Sequence, residues 1–243
     1  MKRTMEKRFG TLFLLVGIGL FLSQVQAQDV YQTPLGGLET VTLGDGSRVT
    51  LNTNTTLQVR LGRTQRRIDL ETGEAYFIVT KDPARPFSVF VAGRTITATG
   101  TKFSVRRNAR DVQVVVTEGR VQMAEVDASA PTTVTTLPAG TVARAAGSEV
   151  LMRQAAETEL ERMLSWREGF VEFHDTTLAD AVAEFNRYRA QPLSIADPSI
   201  ASLKISGRFR STNSDAFLWL LQQGFPVIAE DRPGRILLRR RHP

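Results

Sequence analysis

The sequence predicts a mainly β protein: an antiparallel all-β domain of solenoid or sandwich type, followed by a small two-layer α/β domain of β-α-β, β-α-β-β order. Three observations predict it. Between Val41 and about Arg144 apolar residues recur with period two, glycine turns close each run, and near residue 150 the composition shifts to Ala, Glu, Leu and Met at helical spacing.

Taken in order, Met1–Arg8 is basic and Phe9–Leu22 contains only apolar residues, Gly and Thr11. Val25-Gln26-Ala27 then offers small residues at the spacing of a signal-peptidase site. A spanning helix needs about 20 predominantly apolar residues, reached here only by including Ser23, Gln24 and Gln26. Residues 1–27 are read either as a signal peptide cleaved after Ala27 or as a single uncleaved anchor. Both carry everything after residue 28 across the membrane, with the basic end cytoplasmic.

Residues 28–150 form the β domain. Its inward positions are Val49 and Leu51; Leu57, Val59 and Leu61; Ile68 and Leu70; Ala75, Phe77 and Val79; Phe87, Val89 and Val91; Phe103 and Val105; Val112, Val114 and Val116; and Val121 and Met123. Gly44-Asp45-Gly46, Thr72-Gly73, Ala92-Gly93, Glu118-Gly119 and Ala139-Gly140 separate them. Residues 151–165 read as a connecting helix, with Ala156, Leu160, Met163 and Leu164 on one face.

Residues 166–243 form the second domain. A strand ends at Phe173, and Thr177 with Asp180 makes a capping pair for a helix presenting Leu178, Ala181, Val182, Phe185 and Tyr188. Strands follow at 192–196 and 202–209. A helix over 215–223 carries Phe217, Leu220 and Leu221 inward, and strands at 226–230 and 235–239 finish the chain, so two short helices cover one sheet. Phe217 to Leu221 are five consecutive large apolar residues, more than one helix face buries. Some pack inside and others await a partner, for which Phe217, Trp219 and Leu220 are the candidates.

Composition narrows the chemistry. The chain of 243 residues has no Cys, which excludes disulfides, thiol catalysis and thiolate metal sites, and its imidazoles are His174 and His242. No metal or cofactor is expected. Net charge is +6, half of it in the first eight residues, and Arg235 and Arg239 to Arg241 crowd the carboxyl end as a solvated tail. No nucleic-acid partner is expected. His174 beside Asp175 lacks any nucleophile motif and reads as a structural or surface histidine, while Gly44–Ser47 has neither phosphate-loop spacing nor a following helix and reads as a hairpin turn.

Val41–Asn52 (VTLGDGSRVTLN), Gly73–Phe77, Pro86–Val89, Gly100–Phe103 and Val116–Val121, continued by Trp166, Gly169–Phe173, Leu178 and Phe185-Asn186-Arg187-Tyr188, resemble the FecR family over roughly residues 31–240. The second domain also resembles the short domain at the amino terminus of secretins and TonB-dependent transducers. The resemblance implies a non-enzymatic relay in the periplasm, either free after signal cleavage or tethered to the inner membrane by the amino-terminal segment. A TonB-dependent outer-membrane transducer, often sensing a ferric siderophore, touches the FecR-like protein through its signalling domain, and that protein controls an extracytoplasmic-function sigma factor. About eight residues precede the apolar run, fewer than the roughly 12 to 15 of a stable isolated helix. The sigma factor is therefore contacted through an upstream extension, through another polypeptide, or not directly at all. The resemblance also places a self-cleavage bond at Gly100-Thr101, where the Thr hydroxyl would attack the preceding carbonyl; by the residues alone this is a turn. The rival reading is a secreted envelope β-rich binding or adaptor module without direct sigma-factor contact.

Overall fold

The computed structural model describes residues 28–126 and 133–241. The signal or anchor reading of residues 1–27 and the imidazole of His242 lie outside the described residues. None of the described helices is long and apolar enough to cross a membrane.

The first unit runs through β1 (Asp29–Gln32), β2 (Glu39–Thr42), β3 (Arg48–Leu51), β4 (Thr56–Leu61), β5 (Arg66–Thr72), β6 (Glu74–Ile78) and β7 (Phe87–Val91). It continues with β8 (Arg94–Ala98), β9 (Lys102–Arg107), β10 (Val112–Glu118), β11 (Arg120–Glu125), β12 (Val134–Pro138), β13 (Thr141–Ala146) and β14 (Glu149–Gln154). These strands form two seven-stranded sheets, ordered β1-β4-β5-β7-β8-β11-β12 and β14-β13-β10-β9-β6-β3-β2. The period-two residues of both sheets meet between them: Val49, Leu57, Ile68, Phe77, Phe87, Val114 and Val121 are fully buried in one core. Neighbours are antiparallel except β5 and β7, which run parallel because β6 crosses to the opposite sheet between them.

Six strands, β1, β2, β8, β12, β13 and β14, escaped the periodicity, and three of them show why. β8 offers one large apolar residue, Ile96, between threonines, and β13 faces the core with Ala143 and Ala145. β14 keeps most of its residues exposed and carries the β unit four residues past the expected boundary.

The second sheet buries its outer face as well, and that positions everything beyond it. Tyr76, Val115 and Val142 point away from the sandwich core and are covered by Leu160 of α1 (Glu157–Met163), by Leu164 and by Trp166 in a short 3-10 turn. Val112 to Val116 are consequently all buried, which a strand wet on one face would not show.

The second unit follows the expected order: β15 (Phe170–Thr177), α2 (Leu178–Phe185), β16 (Leu193–Ile195), β17 (Lys204–Arg210), α3 (Ser214–Gly224), β18 (Val227–Arg232) and β19 (Arg235–Arg240). Thr177 caps α2 by accepting from the Asp180 amide, while its hydroxyl donates to the Asp180 carboxylate. The single sheet expected is divided: β15 pairs with β17, and β16, β19 and β18 form a separate sheet. Both helices bury their apolar faces against strands of both sheets, around a cluster of Phe173, Phe185, Phe209 and Phe217 in which the Phe185 and Phe217 rings stack at 4.3 Å.

Candidate functional site

Four consecutive residues at the end of α2, Phe185 to Tyr188, show how the two units are joined. Phe185 plugs the aromatic core. Asn186 donates to the Leu193 carbonyl and accepts from the Leu193 amide, holding the loop between them as a strand pair would. Arg187 and Tyr188 then turn toward the sandwich. Arg187 spans two carboxylates, Glu74 at 2.6 Å and Glu184 at 2.6 Å, and Glu184 takes a second guanidinium from Arg106 at 2.8 Å. Asn52 donates to both the Glu74 carboxylate and the Tyr188 hydroxyl, and the Thr53 hydroxyl donates to the Arg187 carbonyl.

The network is largely buried, with Arg106 and Glu184 half-buried at its rim. Glu74 and Tyr188 are buried, and Arg187 is nearly so. Burial alone would push the Glu184 carboxyl up; Arg187 and Arg106 outweigh it and hold Glu184 below the usual carboxylate range. The same two carboxylates push the Arg187 guanidinium up despite its burial. The Tyr188 phenol is pushed up, first by burial and then by the neighbouring carboxylates. A cleft of about 270 Å³ opens beside this network, lined by Glu74, Arg106, Arg144, Trp166, Phe173 and Glu184. Arg, Glu, Asn and Tyr from separate units thus form a polar lock between domains.

A second ion pair secures the sandwich itself. Arg66 is fully buried; it donates to Asp45 at 2.8 Å and to the carbonyls of Thr80 and Arg85. Asp45 also accepts from the Ser47 amide and hydroxyl, and these donors with Arg66 hold its carboxyl below the usual range against the burial that would raise it. Gly46 turns the chain here with φ of 82°. The hairpin reading of Gly44–Ser47 stands, and the carboxylate within it has a structural task that the turn motif alone does not reveal.

On α3, Phe217, Leu218 and Leu221 are buried, while Trp219 is 60% exposed and Leu220 45% exposed. Phe217 is therefore corrected from candidate partner residue to core residue, since its ring is enclosed by three other phenylalanines. Leu220 is corrected from inward to outward. Trp219 and Leu220 lie side by side at the surface.

Gly100 and Thr101 sit in the turn entering β9. Gly100 has φ of 137°, and an added Cβ would lie 3.0 Å from the Lys81 Cβ. The Thr101 side chain is buried, and its hydroxyl finds no hydrogen-bond partner among the described residues. Among the described residues no base therefore hydrogen-bonds to it, and the nearest amine in sequence, Lys102, pairs with Glu118 at 2.5 Å. His174 is exposed; the Asp175 carboxylate beside it lies 3.7 Å from the Lys204 amine.

Comparison with known proteins reaches the whole two-domain arrangement. No curated protein matches the chain. Two crystal structures of a "putative anti-sigma factor" from Parabacteroides distasonis ATCC 8503, at 2.50 Å and 1.65 Å resolution, share its fold with a TM-score of 0.71. They are 21% identical to it, and the matched regions cover 88% and 87% of this chain and 99% of each of those. Within the sandwich, residues 29–122 match the family model described as FecR protein.

Proposed function

We propose that this chain is a FecR-like regulator of a sigma factor, working in the periplasm as a relay between a TonB-dependent outer-membrane transducer and an extracytoplasmic-function sigma factor in iron or siderophore uptake. The observation that carries the reading is the FecR match on the sandwich within a fold shared over 88% of this chain and 99% of the P. distasonis protein. The transducer's signalling domain docks on Trp219 and Leu220. Docking there shifts the second domain against the lock of Glu74, Arg187 and Glu184, and the altered junction is the signal passed toward the sigma factor.

The test is a reporter driven by the sigma factor, with the transporter's ligand added. Deleting this chain should uncouple ligand from transcription; ligand-triggered transcription that survives deletion unchanged overturns the relay and favours the envelope adaptor reading. Replacing Trp219 and Leu220 with Ala should weaken binding of the signalling domain by about 2 kcal/mol, as loss of exposed aromatic anchors does at interfaces, with melting unchanged.

The free Thr101 hydroxyl and the unusual φ of Gly100 favour one addition, a single-turnover self-cleavage. Thr101 Oγ attacks the Gly100 carbonyl carbon, its proton passes to the departing Thr101 nitrogen, and water opens the ester to leave a Gly100 carboxylate and a free Thr101 amine. Mass spectrometry of incubated protein should find fragments meeting between residues 100 and 101, absent from Thr101→Val. Intact wild-type polypeptide removes this step and leaves the relay standing.

A further inference from the structure

We propose that the edge of β14 is a homodimer interface, where two copies of this chain join their sheets antiparallel about a two-fold axis at Leu151. The sandwich has four sheet edges, β1, β12, β14 and β2. Native edges are normally blunted by shortness, charge or Pro. β1 and β2 have four residues each, and β12 ends in Pro138. β14 has six residues and no Pro, and exposes Leu151 at 71% and Met152 at 58%, on opposite faces of the sheet. It is also held in place: Arg94 donates to the Gly147 carbonyl at the tip of its hairpin, and Gln154 donates to Thr141.

The backbone pattern sets which groups are free. β13 and β14 are joined by the two-residue turn Gly147-Ser148, with Ala146 opposite Glu149. Residues flanking such a turn exchange hydrogen bonds, so Glu149, Leu151 and Arg153 aim their backbone groups at β13. The Ala155 amide, next in that alternation, indeed donates to the Gly140 carbonyl. Val150, Met152 and Gln154 therefore aim theirs outward, with no strand beside them among the described residues.

The sequence around Leu151 fits a copy of itself. With Leu151 opposite Leu151, Val150 meets Met152 of the second copy and Glu149 meets Arg153 of the second copy, each pair occurring twice by symmetry. Val150 and Met152 are the residues with outward backbone groups, so the register that matches the side chains also closes the hydrogen bonds. Each exposed apolar side chain gains an apolar neighbour, and each end gains opposite charges. Arg153 already touches Glu159 of α1 and is thereby aligned along the edge. A partner of a different sequence would need its own alternation to match; the second copy matches by construction.

The chain has no Cys, so single cysteines report the geometry directly. In the full-length chain, Leu151→Cys should cross-link to a dimer under mild oxidant, because a non-hydrogen-bonded antiparallel pair sets its Cα atoms about 4.5 Å apart, within disulfide reach. Met152→Cys and Val30→Cys should not. Analytical ultracentrifugation of the wild type should show a dimer, reduced about tenfold in association constant or more by Leu151→Lys, a charge on the edge. Circular dichroism should be unchanged, since the replaced side chain is exposed. A monomer at every concentration, a dimer indifferent to Leu151→Lys, or equal cross-linking through Cys at 151 and at 30 overturns the proposal.

Discussion

Single side chains do unequal work here, and the unequal ones are charged. Removing one partner of a buried pair strands the other, so Asp45→Ala, which leaves Arg66 enclosed without its carboxylate, should cost about 3 to 5 kcal/mol of sandwich stability in denaturant unfolding. At the junction the sign follows from Glu184, whose carboxyl sits below its ordinary range. A carboxyl depressed by folding contributes stability above its unfolded value, about 4.3 for Glu, and loses that contribution as pH falls through the folded value. Junction stability should hold at neutral pH and weaken below about pH 4.3, while Glu184→Gln should be weaker at pH 7 and should lose less on acidification. Because Asp45 titrates in the same direction, the comparison is the difference between wild type and Glu184→Gln, read by thermal melting. A difference constant with pH would remove Glu184 from the account.

Helix α3 shows how pattern and geometry divide the information. Five large apolar residues in a row announce surplus, and the helix could not bury them all. Which ones go in depends on its rotation against β17 and β18, a tertiary quantity: Phe217, Leu218 and Leu221 face the phenylalanine cluster, Trp219 and Leu220 face out. Phe217→Ala should therefore lower unfolding stability by about 3 to 5 kcal/mol, whereas Trp219→Ala should leave it within about 0.5 kcal/mol in the same denaturant titration. Strands with strong alternation, such as β4, β5 and β7, were readable because a half-buried strand records its two faces in its residues. β8, β13 and β14 were not, because Thr, Ala and exposed Leu carry no such record. The polar lock was hidden for another reason. Glu74 and Arg187 lie 113 residues apart, and no local rule brings a turn-adjacent glutamate to the end of a distant helix.

As a molecule the protein is joined in two stages. Apolar packing fastens α1 and the 3-10 turn to the outer face of the second sheet as far as Trp166, and beyond Gly169 the second domain leans on the sandwich through Glu74, Arg187, Glu184, Arg106, Asn52 and Tyr188. Arg187→Ala leaves two carboxylates without their shared guanidinium and should loosen the domains by about 3 kcal/mol, seen as faster amide exchange in 184–193 with the amides of the central strand β10 still protected.

Water is a ready substitute for each of those hydrogen bonds, and it is no substitute for the grease under Trp166. Parting the second domain while the α1 splint stays glued would wet guanidinium, carboxylate and phenol groups and little hydrocarbon, so the swung-open form should remain dissolved and should register in calorimetry with a very small heat-capacity change. Such a joint can cycle repeatedly without inviting aggregation.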